Sequence, residues 1–144
     1  MLASTNLLNS KVMLAGAVLV VGLASGNRWF STDNQVVSGL PIVEISLPQL
    51  SERAKVGEAA FTENCATCHG TNAAGQDGIA PPLVHIIYEP SHHGDQAFYL
   101  AAKNGVRGHH WPFGNMPPVE GITDQDIAHI TFYVRELQRA NGIN

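Results

Sequence analysis

Asn64-Cys65-Ala66-Thr67-Cys68-His69-Gly70 is the stretch whose reading decides the fold. Two thiols three positions apart, followed at once by an imidazole, have the spacing of c-type haem attachment: the sulfurs join the two vinyl groups while the histidine reaches the iron from one face. Cys-x-x-Cys alone also suits a thioredoxin-like thiol pair or half of a zinc site. Cys65 and Cys68 are the only cysteines, so neither a disulfide framework nor a four-cysteine zinc site can be assembled from this chain. A haem reading then requires flanking helices, an apolar pocket and a second axial ligand.

The flanks read as helix. Ser51 suits an N-cap, Glu52 suits the positive first turn, and Val56, Ala60 and Phe61 lie on one face of a helix that delivers Cys65. After His69 the run from Gly70 to Gly78 denies a regular element, and Ala80-Pro81-Pro82-Leu83 holds an extended segment. Gly94 to Asn104 reads as a helix closed by an αL residue at Gly105. Val106 to Val119, with Trp111 and three prolines, reads as a structured loop. Thr123 caps a final helix, with Asp124 and Asp126 in its first turn and Ile127, Ile130, Val134 and Leu137 on one stripe.

An electron-passing haem needs both axial positions filled, and a thioether opposite an imidazole raises the potential. Met1 and Met13 belong to the apolar N-terminal segment, which leaves Met116 as the candidate ligand opposite His69. It sits in the rigid run Gly114-Asn115-Met116-Pro117-Pro118. Trp111 is a candidate pocket wall, since aromatic side chains serve mostly as large apolar packing. His85, His92, His93, His109, His110 and His129 read as surface or loop residues. The alternatives kept for them are His109 or His110 on the iron in place of Met116, and a second metal near Trp111.

On these residues the chain from about Ser51 to Leu137 resembles a class I, monohaem cytochrome c. The parts that carry the resemblance are Gly57 and Phe61, Cys65-Ala-Thr-Cys68-His69, Ala80-Pro81-Pro82-Leu83, Met116-Pro117, and Ile130 with Tyr133. The resemblance implies an all-α cytochrome c-like domain around one covalently bound haem c. It further implies that Gly57 and Phe61 cross closely over the last helix and that the Pro81 carbonyl accepts a hydrogen bond from His69 Nδ1, a contact that orients the imidazole. Arg28-Trp29-Phe30-Ser31 also resembles the collar of membrane-anchored bacterial carriers of this family.

Sixteen uncharged residues separate Lys11 from Arg28, a helix of about 24 Å against a hydrocarbon core of about 30 Å. Residues 1–30 therefore read as a retained membrane anchor, with a cleaved signal peptide as the alternative. Residues 31–48 read as a linker carrying at most one edge strand near Ile42 to Leu47, and 49–144 as the haem domain. Either reading of the first segment places that domain on the periplasmic side of the cytoplasmic membrane, anchored or soluble.

From Gln49 onward six Lys and Arg face ten Asp and Glu, so no basic stripe for nucleic acid is expected. An acidic carrier meets redox proteins, here expected in membrane complexes, through a basic patch on their side. The expected role is single-electron transfer rather than enzyme catalysis, with small residues Ala66, Thr67, Ala73 and Ala74 ringing the haem edge. The alternatives are a haem subunit of a dehydrogenase or oxidase complex, or a ligand-binding haem sensor.

Overall fold

The computed structural model describes residues 39–144. The anchor or signal segment and the first part of the linker lie outside the described residues. Four α-helices form in chain order: α1 (Glu52–Asn64), α2 (Ala66–His69), α3 (Asp95–Asn104) and α4 (Asp124–Ala140). Single 3-10 turns occupy Thr71–Ala73 and Ile86–Tyr88. Among the described residues there is no β-strand, and no helix is long and apolar enough to cross a membrane.

Capping sets the helix boundaries. Ser51 Oγ accepts from Ala54 N–H at 3.2 Å, and the Ser51 N–H and hydroxyl both donate to Glu136 at 2.8 Å, so the start of α1 is tied to the far half of α4. Thr123 and Asp126 form a reciprocal capping box at the start of α4. Gly105 ends α3 at φ +74° and ψ 179°, a positive φ that disfavours a side chain, though the conformation is not the expected αL.

α1 and α4 cross at Gly57, where an added Cβ would collide with the His129 carbonyl and lie 2.7 Å from Tyr133 Cβ. Phe61 then packs on Tyr133, ring centroids 5.6 Å apart. This crossing rotates α1 relative to the face read from its sequence: Ala54, Gly57 and Phe61 are buried, whereas Val56 is half exposed. α4 buries its expected stripe of Ile127, Ile130, Val134 and Leu137, and the core adds Phe61, Tyr133, Val84 and Ile122.

The expected edge strand is not formed. Residues 39–50 form no ladder, bend at Ile42 and Val43, and are pinned by point contacts instead. Ile42 and Val43 N–H both donate to the Ala74 carbonyl, and Ser46 exchanges two hydrogen bonds with the Asn141 side chain, at 2.8 and 3.0 Å. With Ile42 and Val43 bonded from one side and Leu83 and Val84 N–H reaching the Ala73 carbonyl from the other, Ala73 and Ala74 are buried. They therefore cannot belong to an exposed haem-edge ring.

Arg135 lies near the C-terminal end of α4, but it does more than suit the helix dipole. It is 6% exposed, donates to Tyr88 O, His93 O, Gln138 Oε1 and Asp95 Oδ1, and stacks its guanidinium 4.8 Å over Phe98. It thereby holds the turn from Tyr88 to His93 against the helix. Arg135→Met is expected to destabilise the folded protein by about 2 kcal/mol, because the His93 carbonyl loses its charged donor while Tyr88 O keeps Gln138 Nε2. Urea unfolding of the haem-loaded protein measures it, with exposed Arg139→Met expected within about 0.5 kcal/mol of the parent.

Candidate functional site

The Cys65–His69 turn leaves the C-terminus of α1 directly: Cys65 N–H still donates to Phe61 O, and His69 N–H donates to Cys65 O at 2.9 Å. Its far carbonyls are gathered by one side chain. Gln76, itself buried, has its Nε2 3.2, 2.7 and 3.1 Å from the carbonyls of Ala66, Thr67 and Cys68. Gln76 was invisible to the motif reading because it lies in the glycine-rich loop, where nothing in the pattern marks one polar residue over another.

Both cysteines are free. Burial, and secondarily Cys68, push the Cys65 thiol up to about 11. A thiol–disulfide catalyst needs the opposite shift, toward the thiolate. The pair is thus poorly suited to redox exchange.

His69 is buried, and burial lowers its pKa, with the Pro81 hydrogen bond opposing. The imidazole is held neutral. Its Nδ1 lies 2.8 Å from the Pro81 carbonyl, which can only accept, so Nδ1 carries the proton and Nε2 keeps its lone pair. Ala80 adopts no positive φ in presenting that carbonyl.

Met116 is placed by a two-residue bridge across its loop: Val106 N–H to Met116 O and Met116 N–H to Val106 O, both 2.9 Å. Gly105 lets this approach happen, since a Cβ there would meet Met116 O at 2.5 Å. Asn115 Oδ1 closes the loop by accepting from Gly108 N–H at 2.9 Å. The loop has no helix or strand, and the bridge is what makes it a fixed mount.

One cavity of about 540 Å³ is bordered by Cys65, Cys68, His69, Pro81, Trp111 and Met116 together. That volume falls within the range of about 300–1,000 Å³ typical of cofactor sites. Leu83, Phe98, Val119, Ile127 and Ile130 supply apolar walls. Trp111, stacked on Phe113 at 5.8 Å and edge-on to His85 at 5.2 Å, also lines it. Its Nε1 is buried without a hydrogen-bond partner. Burial raises the pKa of Tyr88 on the same cavity.

These residues fit a haem. Two free sulfurs stand beside a neutral imidazole with an available nitrogen, a thioether borders the same space, and an orphaned indole N–H awaits an acceptor such as a propionate. Around the opening Thr67 and Cys68 are exposed, as are Ile79 and Leu100, at 39% and 47%. Sequence pattern did not single out those last two.

A family model described as Cytochrome c matches residues 54–138. No curated protein matches the chain.

Proposed function

The chain belongs to the cytochrome c family, and from that premise we propose that it carries single electrons between redox proteins on the periplasmic side of the cytoplasmic membrane. It is a haem-based electron-transfer protein whose cofactor is one iron-containing haem c, attached covalently in the manner of its Cys65-x-x-Cys68-His69 motif. When bound, the haem supplies a one-electron ferric–ferrous couple.

The protein's own residues do the rest in this reading. Cys65, the C-cap of α1, and Cys68 on α2 would fix the group where the two helices meet. His69 Nε2 and Met116 Sδ would be the atoms that hold the iron, His69 oriented by Pro81 and Met116 by its bridge to Val106. Fixed ligands rearrange little between oxidation states. Ile127, Ile130 and Trp111 exclude water, and the Trp111 N–H is available to a propionate. The observation that carries the assignment is that both candidate axial ligands border the cavity that the two thiols also border.

Partners touch Thr67, Ile79 and Leu100 around the opening in a small, short-lived contact. The acidic balance of the domain attracts a basic patch on the partner, within a membrane complex. The N-terminal segment anchors the chain to the membrane, and the haem domain faces outward.

Intact mass of the purified protein tests the attachment: one haem added at two alkylation-resistant cysteines is expected, and unmodified thiols would overturn it. Electron transfer to a basic acceptor should slow as the screening length shortens from about 30 Å at 0.01 M salt to about 8 Å at 0.15 M. A rate independent of salt would remove the electrostatic part of the proposal.

A further inference from the structure

Two loops distant in sequence bring three imidazoles to one point on the cavity rim. His92 and His93 come from the turn that Arg135 holds, and His110 comes from the loop that carries Met116. Ring centroids are 4.6 Å apart for His92–His93, 5.4 Å for His92–His110 and 5.3 Å for His93–His110. One ring nitrogen from each lies within 4.8 Å of the other two. We propose that His92, His93 and His110 form a second metal site, binding one divalent transition-metal ion of the zinc or copper type outside the iron position.

The chemistry of the three side chains sets the class of ion. An imidazole trio with no carboxylate selects borderline ions such as Zn²⁺ and Cu²⁺ over the hard Mg²⁺ and Ca²⁺. Tetrahedral binding at about 2.0–2.1 Å needs nitrogens about 3.4 Å apart. His92 and His110 are exposed, so their rings are free to rotate inward by that difference.

His93 is the prepared member. Its Nδ1 lies 2.6 Å from the Ile87 carbonyl, an acceptor, so Nδ1 carries the proton and Nε2 is left as the ligand atom. A ligand histidine that donates its other nitrogen to a backbone carbonyl is the usual support of a metal site. The remaining coordination position falls to water.

His93 and His110 also border the haem cavity. Resting on the electron-carrier reading, a bound dication there disfavours the more positive ferric state, so metal uptake and haem reduction favour each other reciprocally.

The test uses the haem-loaded full chain and Zn²⁺ as probe, followed by calorimetry. One equivalent is expected, with affinity at least tenfold weaker in each of His92→Gln, His93→Gln and His110→Gln, and unchanged in His129→Gln. Cu²⁺ in the same protein should show nitrogen hyperfine structure in its electron paramagnetic resonance spectrum. Affinity for Zn²⁺ should be higher for the reduced protein than for the oxidised one.

No uptake, or uptake that survives the triple glutamine variant, overturns the site. The far-red absorption band of the ferric protein, read before zinc is added, reports Met116 ligation separately, so a lost band and a lost zinc site are distinct failures. Equal Zn²⁺ affinity in both oxidation states removes the coupling and leaves the site standing.

Discussion

Met116→Ala is expected to leave the haem attached while its reduction potential falls by about 59 mV or more, at least a tenfold shift in favour of the ferric state for a one-electron couple. Attachment depends on Cys65, the C-cap of α1, and Cys68 on α2, and Met116 supports neither element. The thioether is a different matter. A sulfur ligand opposite an imidazole favours the ferrous state, and the bridge to Val106, the close approach at Gly105 and the Asn115 contact with Gly108 all serve to fix one side chain at one place. With alanine there, the axial position opens to water and to added ligands such as imidazole or cyanide, and the far-red band of the ferric protein disappears. Spectroelectrochemical titration with and without added imidazole measures both effects. An unchanged potential and no new ligand binding would remove Met116 from the iron and return His109 or His110 to consideration.

Local chemistry was legible in the sequence wherever it is completed within a few residues. Ser51 and Thr123 cap the helices they were expected to cap, α3 ends at Gly105 with positive φ, though not in the αL form, and the stripe on α4 faces the core. Each haem-site candidate lies in a short motif, and the cavity brings those motifs together. Relations set by tertiary approach were not legible. The buried face of α1 depends on how closely α4 can come at Gly57, so Val56 turns outward although its spacing from Ala60 and Phe61 suits an inner face. Ala73 and Ala74 look like small surface residues until segments from both sides cover them. Arg135 reads as a helix-end cation, and its partners Tyr88 and His93 lie more than forty positions away. The convergence of His92 and His93 with His110 is hidden in the same way, since only the folded loops make them neighbours.

Gly57→Val is expected to destabilise the haem-loaded protein by about 3 kcal/mol or more. The added Cβ would collide with the His129 carbonyl and approach Tyr133 Cβ at 2.7 Å. The first of these is backbone inside α4, which no rotamer change can move. Relief therefore requires the two helices to separate, which loosens Phe61 from Tyr133 and opens the best-buried part of the core. Valine's better helix propensity returns less than about 1 kcal/mol. For a domain of this size each kcal/mol corresponds to about 4–8 °C, so the melting temperature should fall by about 12 °C or more. Ala59→Val, on the exposed side of the same helix, isolates the packing effect and should change stability by less than about 1 kcal/mol. A functional consequence accompanies the loss. Ile127 and Ile130 reach the haem cavity from α4, so displacing that helix admits water beside the iron and lowers the potential even with both axial ligands in place. A Gly57→Val protein matching its parent in both melting temperature and potential would show that α1 and α4 do not meet at this glycine, and the cavity would have to be closed by some other contact.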